Sequence, residues 1–239
     1  MEENHFWDLA WGSPEKIKDV KLIDLIMHKS AVQFTYQILG EIKNKNLLEI
    51  GCGSGMQTID FIRKGARVTA IDLSEESISL TKEFLKKNNF KALVKKIDAE
   101  KMDLPDHAFD VVYINCVLMH ADQDKTISEC LRVLKPGGII VFKESLKPWI
   151  ATFPYRTFSP YMKTKPHYLT LRKVRSLNAK HKEFYLLGSF LAFLFYLLKN
   201  KRLALCWFSL FEPIDNFLLK NFPFWRTFAW VAVGVIKKK

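Results

Sequence analysis

Leu47-Leu48-Glu49-Ile50-Gly51-Cys52-Gly53-Ser54-Gly55 decides how the chain is read. A short apolar run leads into three glycines at alternate positions. This pattern predicts a buried parallel strand that ends in a tight turn, with a helix opening at Met56. Glycine suits such a turn because the backbone must take positive φ and let a ligand come close. The N–H groups at the following helix start face whatever sits there.

The spacing is G-x-G-x-G, and Met56 stands where a dinucleotide site would carry its third glycine. Glu49 precedes the turn, close to where a pyrophosphate would lie. Both features disfavour a dinucleotide and suit a ligand with a cationic amino-acid end. At these residues the chain resembles the class I S-adenosylmethionine-dependent methyltransferases, whose first motif looks like Leu47 to Gly55. The alternative is a glycine turn in another doubly wound domain. The resemblance implies an α/β fold: a Rossmann-like, doubly wound, seven-stranded sheet with an antiparallel last strand. It also implies S-adenosylmethionine as cofactor, with Glu49, Gly51, Cys52, Gly53 and Gly55 in its site.

Further matches follow in order. Arg67 to Asp72 reads as the second strand, and Asp72 lies 21 residues after Gly51. A carboxylate at that distance can accept hydrogen bonds from ribose hydroxyls; its other reading is an acid at the start of the helix 75–87. Leu73 follows it into the cofactor site. Residues 92–97 form the third strand, and Asp98-Ala99 after it looks like the family's third motif. That resemblance implies an adenine contact from the Asp98 carboxylate and the Ala99 N–H; an exposed acidic loop is the alternative. Phe109 to Asn115 is a continuous apolar fourth strand that fits burial on both faces. Residues from Asn115 to His120 should therefore face the site. The segment Leu131 to Gly138, with its Pro136-Gly137-Gly138 turn, closely resembles the family's entry to the fifth strand, Ile139 to Glu144. The resemblance covers residues 44–145 and points to the type 11 group.

Asn115-Cys116-Val117-Leu118 lacks the Pro-Pro-aromatic pattern of amino-directed nucleic-acid methyltransferases, and no proline precedes Cys116 as a cytosine-directed nucleophile would need. A small-molecule acceptor remains. His120 is the candidate catalytic base for a hydroxyl, since imidazole ordinarily titrates near working pH. It could equally orient substrate or cap the helix beginning near Asp122. The N-terminal region, with Ser13-Pro14 as a helix start and a second helix from Ser30 to Ile42, is expected to cover the cofactor. Trp7 and Tyr36 are then substrate-pocket candidates, or else core aromatics.

Charge is placed unevenly. The net charge is +12, yet residues 150–239 alone hold 16 Lys/Arg against Glu183, Glu212 and Asp215. Such asymmetry suggests an acidic partner: anionic lipid, a phosphorylated or carboxylate substrate, or nucleic acid. The four cysteines are scattered, so neither a disulfide framework nor a metal site is expected. Met1-Glu2-Glu3-Asn4-His5 has no basic, apolar leader pattern, and the expected location is cytoplasmic.

The chain divides into cap helices (1–43), a cofactor-binding core (44–150) and a C-terminal completion of the sheet (151–239). In the last part a helix is expected near Thr170 to Lys180, strand six at Glu183 to Leu187 and strand seven at Ala229 to Ile236. Between these strands an insertion over 188–227 is too long for an ordinary hairpin loop. Ten of the 19 phenylalanines fall between Phe184 and Phe228, and the run Phe184 to Leu198 carries no charge. That run is short of the length of about 20 residues that spans a bilayer. A break at Glu212-Pro213 should divide the helix Leu203 to Phe211 from a second, Ile214 to Lys220. The insertion reads as a cap over a greasy pocket or a dimer face, as a monotopic element at the inner face of an anionic membrane, or as added core. The expected activity is methyl transfer to a lipophilic small molecule, most simply at a hydroxyl. The alternatives are a nucleic-acid methyltransferase or binder, disfavoured by the density of phenylalanine, and a membrane-docked cofactor binder without catalysis.

Overall fold

A computed structural model of the chain describes residues 30–146, 167–184 and 201–239. Trp7, the helix expected to end at Met27, and the charge-free run beyond Phe184 lie outside these residues. The elements are α1 (30–39), β1 (Asn46–Ile50), α2 (Met56–Arg63), β2 (Arg67–Asp72), α3 (Glu75–Lys87), β3 (Leu93–Lys96), β4 (Phe109–Asn115), α4 (Gln123–Val133), β5 (Leu134–Ser145), α5 (Leu171–Ser176), β6 (Lys180–Phe184), α6 (Lys201–Asn221), a 3-10 turn (Pro223–Phe228) and β7 (Val231–Lys237).

The strands form one seven-stranded sheet in the order β3-β2-β1-β4-β5-β7-β6. Neighbours among β1 to β5 pair in parallel, whereas β7 is antiparallel to both β5 and β6. Alternation along each strand makes two apolar faces. Leu48, Ile50, Val112, Ile114, Ile140 and Phe142 pack on one face with Ile127, Cys130 and Val133 of α4. Leu47, Val68, Ala70, Val111, Tyr113 and Val141 pack on the other with Leu39, Ile59, Phe61 and Ile78 of the first three helices. Burial of both faces explains why the central strands read as unbroken apolar runs.

Local chemistry sets the helix starts. Ser74 Oγ accepts from Ser77 N, Asp122 accepts from Asp124 N and Lys125 N, and Thr170 accepts from Lys173 N. At the far end of α4, Lys238 Nζ donates to Leu131 O at 2.5 Å and Leu134 O at 2.7 Å, so a cation closes that helix terminus.

The C-terminal expectations need three corrections. Strand six lies at Lys180–Phe184, not at Glu183 to Leu187. It is the edge strand, and its exposed Lys180 and Lys182 belong to an edge, where charge is tolerated. The helix expected over Thr170 to Lys180 is only the six residues of α5. Glu212-Pro213 does not divide α6, which is continuous over Lys201–Asn221 with Pro213 inside it. Pro213 removes one backbone donor, but Ser209, four residues before it, is exposed, so water can satisfy that carbonyl. Trp207 of α6 packs with the cluster of α1, while Leu218 and Leu219 pack with the α4 side, so α6 crosses the β6 edge from one face to the other.

Gly234 of β7 faces the ring of Phe142, and a Cβ there would meet Phe142 Cζ at 2.4 Å. Gly234→Ala should lower unfolding stability by about 1–3 kcal/mol through overpacking, measured by urea denaturation.

Candidate active site

The carboxyl ends of β1 to β5 gather the residues singled out above, as open α/β sheets require. The glycine turn leaves β1 with φ of 80° at Gly51, 52° at Gly53 and 76° at Gly55. Space is as restrictive as angle at two of these positions. A Cβ on Gly51 would meet Val117 Cγ2 at 2.4 Å, and one on Gly55 would meet Thr81 Cα at 3.1 Å. The turn is therefore wedged between the segment after β4 and helix α3. Cys52 contributes backbone to the cradle; its thiol is buried, takes a hydrogen bond from Thr81 Oγ1 at 3.4 Å, and is pushed well above its ordinary pKa by burial.

Three carboxylates stand on three adjacent strands. Glu49 is only 1% exposed and accepts from Thr58 Oγ1 at 2.5 Å. Burial, reinforced by Asp72 and Asp60, raises its pKa to about 8 despite the Thr58 hydrogen bond. Asp72 ends β2 and bridges the two turns: Oδ2 accepts from Gly53 N at 3.0 Å and Oδ1 from Ser74 N at 3.0 Å. Leu73 beside it is half-buried. Asp98, after β3, is exposed and accepts from Glu100 N at 2.8 Å, while Ala99 is buried. Asp72 thus stands directly against the glycine turn, with Glu49 on the strand that leads into it and Asp98 after the next strand out.

The other side is polar in a different way. Asn115 Nδ2 donates to Gln57 Oε1 at 3.0 Å, and Gln57 Nε2 donates to Tyr113 Oη at 2.9 Å. Asn115 Oδ1 is buried and has no hydrogen-bond partner among the described residues. Its backbone carbonyl lies 3.3 Å from where a Gly51 Cβ would be. An orphan acceptor beside a cradle that excludes a methyl group, facing a row of acids, fits a cationic ligand with N–H donors. S-adenosylmethionine, with its sulfonium, ammonium, ribose and adenine, matches that donor and charge demand.

Two expectations about the pocket are corrected by the structure. Tyr36 does not face the carboxyl edge. Its hydroxyl donates to Asp60 Oδ2 at 3.3 Å, Lys64 Nζ lies 4.8 Å from its ring centroid, and its ring meets Phe61 edge-on, so it joins α1 to α2. His120 does lie on the segment after β4, where its N–H donates to Val117 O at 2.8 Å. Its imidazole, however, does not titrate near neutrality: burial lowers its pKa to about 4. Trp7 lies outside the described residues.

Gln57 and Glu144 escaped the sequence reading. Glu144 ends β5 and accepts from Val117 N at 2.8 Å and Leu118 N at 3.1 Å, with a pKa raised to about 7 by burial. It holds the segment that carries His120, and Cys116 within that segment takes a left-handed φ of 55°. The available signal was two consecutive charges, Lys143-Glu144, closing an otherwise apolar strand.

Glu49 yields a two-part prediction. Its carboxyl stays protonated in the fold while the unfolded chain ionises, so stability falls as pH rises from the ordinary Glu value towards 8. Glu49→Gln should therefore raise the melting temperature of the ligand-free protein at pH 8. The same substitution should weaken S-adenosylhomocysteine binding about tenfold, read by calorimetry.

Comparison with known proteins agrees with this geometry. Residues 48–142 match the family described as Methyltransferase domain. A ubiquinone biosynthesis O-methyltransferase of Coxiella burnetii is 30% identical over 141 residues, covering 57% of this chain and 58% of that protein. The chain spans a little over half the length of the curated relatives it matches. Among solved structures, geranyl diphosphate C-methyltransferase from Streptomyces coelicolor superposes with a TM-score of 0.64 at 16% identity, covering 97% of this chain and 86% of that one. Phosphoethanolamine N-methyltransferase 2 of Haemonchus contortus gives a TM-score of 0.70 at 16% identity, covering 100% of this chain and 61% of that one. These structures share the fold, and both were crystallised with S-adenosylhomocysteine. Residues 48–142 thus resemble a methyltransferase domain, and the fold is the one shared by these solved methyltransferase structures.

Proposed function

We propose that the protein is an S-adenosylmethionine-dependent O-methyltransferase whose acceptor is a lipophilic small molecule bearing a hydroxyl group. The carrying observation is the glycine turn set between the acids of β1 to β3 and the orphan oxygen of Asn115. Asp72 would take the ribose hydroxyls, Asp98 and the Ala99 N–H the adenine, and Glu49 and Asn115 the ammonium end. When bound, this cofactor supplies an electrophilic methyl group on sulfur. The chain must align the acceptor oxygen with it and exclude water. The acceptor class is supported by relatives named for O-methylation in ubiquinone biosynthesis, which favours a quinone-like hydroxyl.

With its pKa lowered to about 4, His120 is neutral throughout the physiological range. It can orient an acceptor hydroxyl, but it is a weaker base than free imidazole. His120→Ala should leave the pH profile of kcat without a lost break between pH 6 and 8. Disappearance of such a break would make His120 the titrating base. The activity itself is tested by incubating the purified chain with methyl-labelled cofactor and separate lipid and soluble extracts. Label should enter the lipid fraction; label confined to the soluble fraction would overturn the lipophilic acceptor.

A second reading, compatible with the first, concerns location. Leu203, Leu210, Ile214 and Phe217 recur along α6 and are exposed, with Phe222 and Phe224 beyond its end; Leu210 is 64% and Phe224 68% exposed. Lys220 is exposed among them, whereas Glu212 is half-buried and Asp215 buried. No helix among the described residues is long and apolar enough to cross a membrane. An apolar stripe with an exposed cation and without exposed acids along α6 supports docking on an anionic bilayer face. The intact protein should float with vesicles containing phosphatidylglycerol and not with neutral vesicles. The pair Phe217→Glu and Phe224→Glu should abolish flotation while leaving S-adenosylhomocysteine binding intact.

A further inference from the structure

The crossover from β3 to β4, residues 97–108, contains no helix. Its Ala99, Met102 and Leu104 pack in one core with Ile50 and Ile71, near the carboxyl ends of β1 and β2. The amino ends of the same strands stay open on that face. Register places Asn46 beside Arg67 and Thr69 beside Leu93, all on the side of Ile71, and Leu93 is 50% exposed. A cleft of about 550 Å3 lies there, with Asn46, Arg67, Thr69, Lys91, Ala108 and Phe109 in its lining. Small-molecule sites commonly have volumes of about 300–1,000 Å3. The charged residues of the lining are of one sign, Arg67 and Lys91, and both are exposed. The acids at the start of β4 are engaged by other cations: Asp110 accepts from Lys135 Nζ at 2.8 Å, and Asp106 accepts from Arg132. Lys45, exposed beside Asn46, adds to the positive potential of this end. Asn46 Nδ2 donates to Ala108 O at 3.1 Å, so the walls supplied by β1 and by the entry to β4 are tied together. Five residue steps of β2 separate Arg67 from Asp72, about 17 Å, so the cleft is distinct from the glycine turn.

We propose that this cleft is a second ligand site, which binds the phosphate group of a phosphorylated molecule between Arg67 and Lys91. A guanidinium presents paired N–H donors that match two phosphate oxygens, and an ammonium adds a second point of charge. A dianionic phosphate answers two cations more fully than a carboxylate does. Thr69 brings a hydroxyl to the same lining, and Phe109 with Ala108 supplies an apolar wall for the organic part. Two sources carry this chemistry, a free organic phosphate and a phospholipid headgroup. The inference is independent of the methyl-transfer reading, because it uses residues at the opposite end of the sheet.

The test is calorimetry of the full-length protein with phenyl phosphate as probe, in about 0.15 M salt and with S-adenosylhomocysteine present in excess. One site with a Kd below about 1 mM is expected. Arg67→Gln and Lys91→Gln should each weaken binding at least about tenfold. Lys237→Gln, at the end of β7, should leave it within about twofold. Unchanged S-adenosylhomocysteine affinity in the three variants reports that each is folded. Absence of saturable heat with the wild-type protein overturns the proposal. So does an equal loss in Lys237→Gln, which reduces the effect to general surface charge, and so does full binding in both cleft variants, which places the phosphate elsewhere. Vesicles containing phosphatidic acid separate the two sources: release of bound phenyl phosphate on their addition assigns the cleft to a headgroup, and continued binding assigns it to a soluble ligand. Failure of S-adenosylhomocysteine itself to bind would count against the methyl-transfer reading alone, and the phosphate titration would stand without it.

Discussion

The site depends on how closely the chain leaving β1 passes the chain leaving β4. At Gly51 the two are in contact, with Val117 and the Asn115 carbonyl filling the space that any side chain would take. This contact ties the glycine turn to the segment that carries His120, and Glu144 anchors the same segment from β5. Three strand ends are thereby locked into one rim. A larger residue at position 51 would push the turn away from β4 and open the rim at the point where the acids and Asn115 converge. The close-packed interior leaves no slack to absorb such a shift.

Charge management follows from that rim. Burial raises the Glu49 and Glu144 carboxyls towards neutral pH, yet each is held by hydrogen-bond donors and neither is left bare. Asp72 is kept usable in another way, accepting backbone N–H groups from the two turns it bridges. The acids of the rim thus sit with donors already in place around them. Such arrangements lower the stability of the empty protein and are common where binding is the purpose.

Much of this was legible in the chain itself. The alternating glycines, Asp72 at its fixed distance and the unbroken apolar run of β4 carry strong local signals, and the boundaries of α2, α3, β2 and β4 fall where those signals put them. Tyr36 was not legible as a helix-to-helix tie, because an aromatic on an amphipathic helix looks the same whether it faces a ligand or Asp60 of a neighbour. His120 was visible as a residue but its titration was not, since burial is a property of the assembled rim. Gln57 gains meaning only from its contact with Asn115 across 58 residues of sequence. Pro213 was read by its local rule, and the continuous helix around it reflects water access on the exposed side.

The passage of α6 over the β6 edge has a consequence for how the molecule can associate. The opposite edge, β3, is only four residues long and presents Leu93, Lys95 and Lys96 outward. One margin is thus roofed and the other guarded by ammonium groups, so neither offers a template for recruiting a foreign strand. The width of the sheet is closed, and self-assembly by lateral zippering is disfavoured from both sides. The segment that leads from β6 through α6 to β7 leaves and rejoins the sheet at this roofed margin, away from the strands that carry the glycine turn.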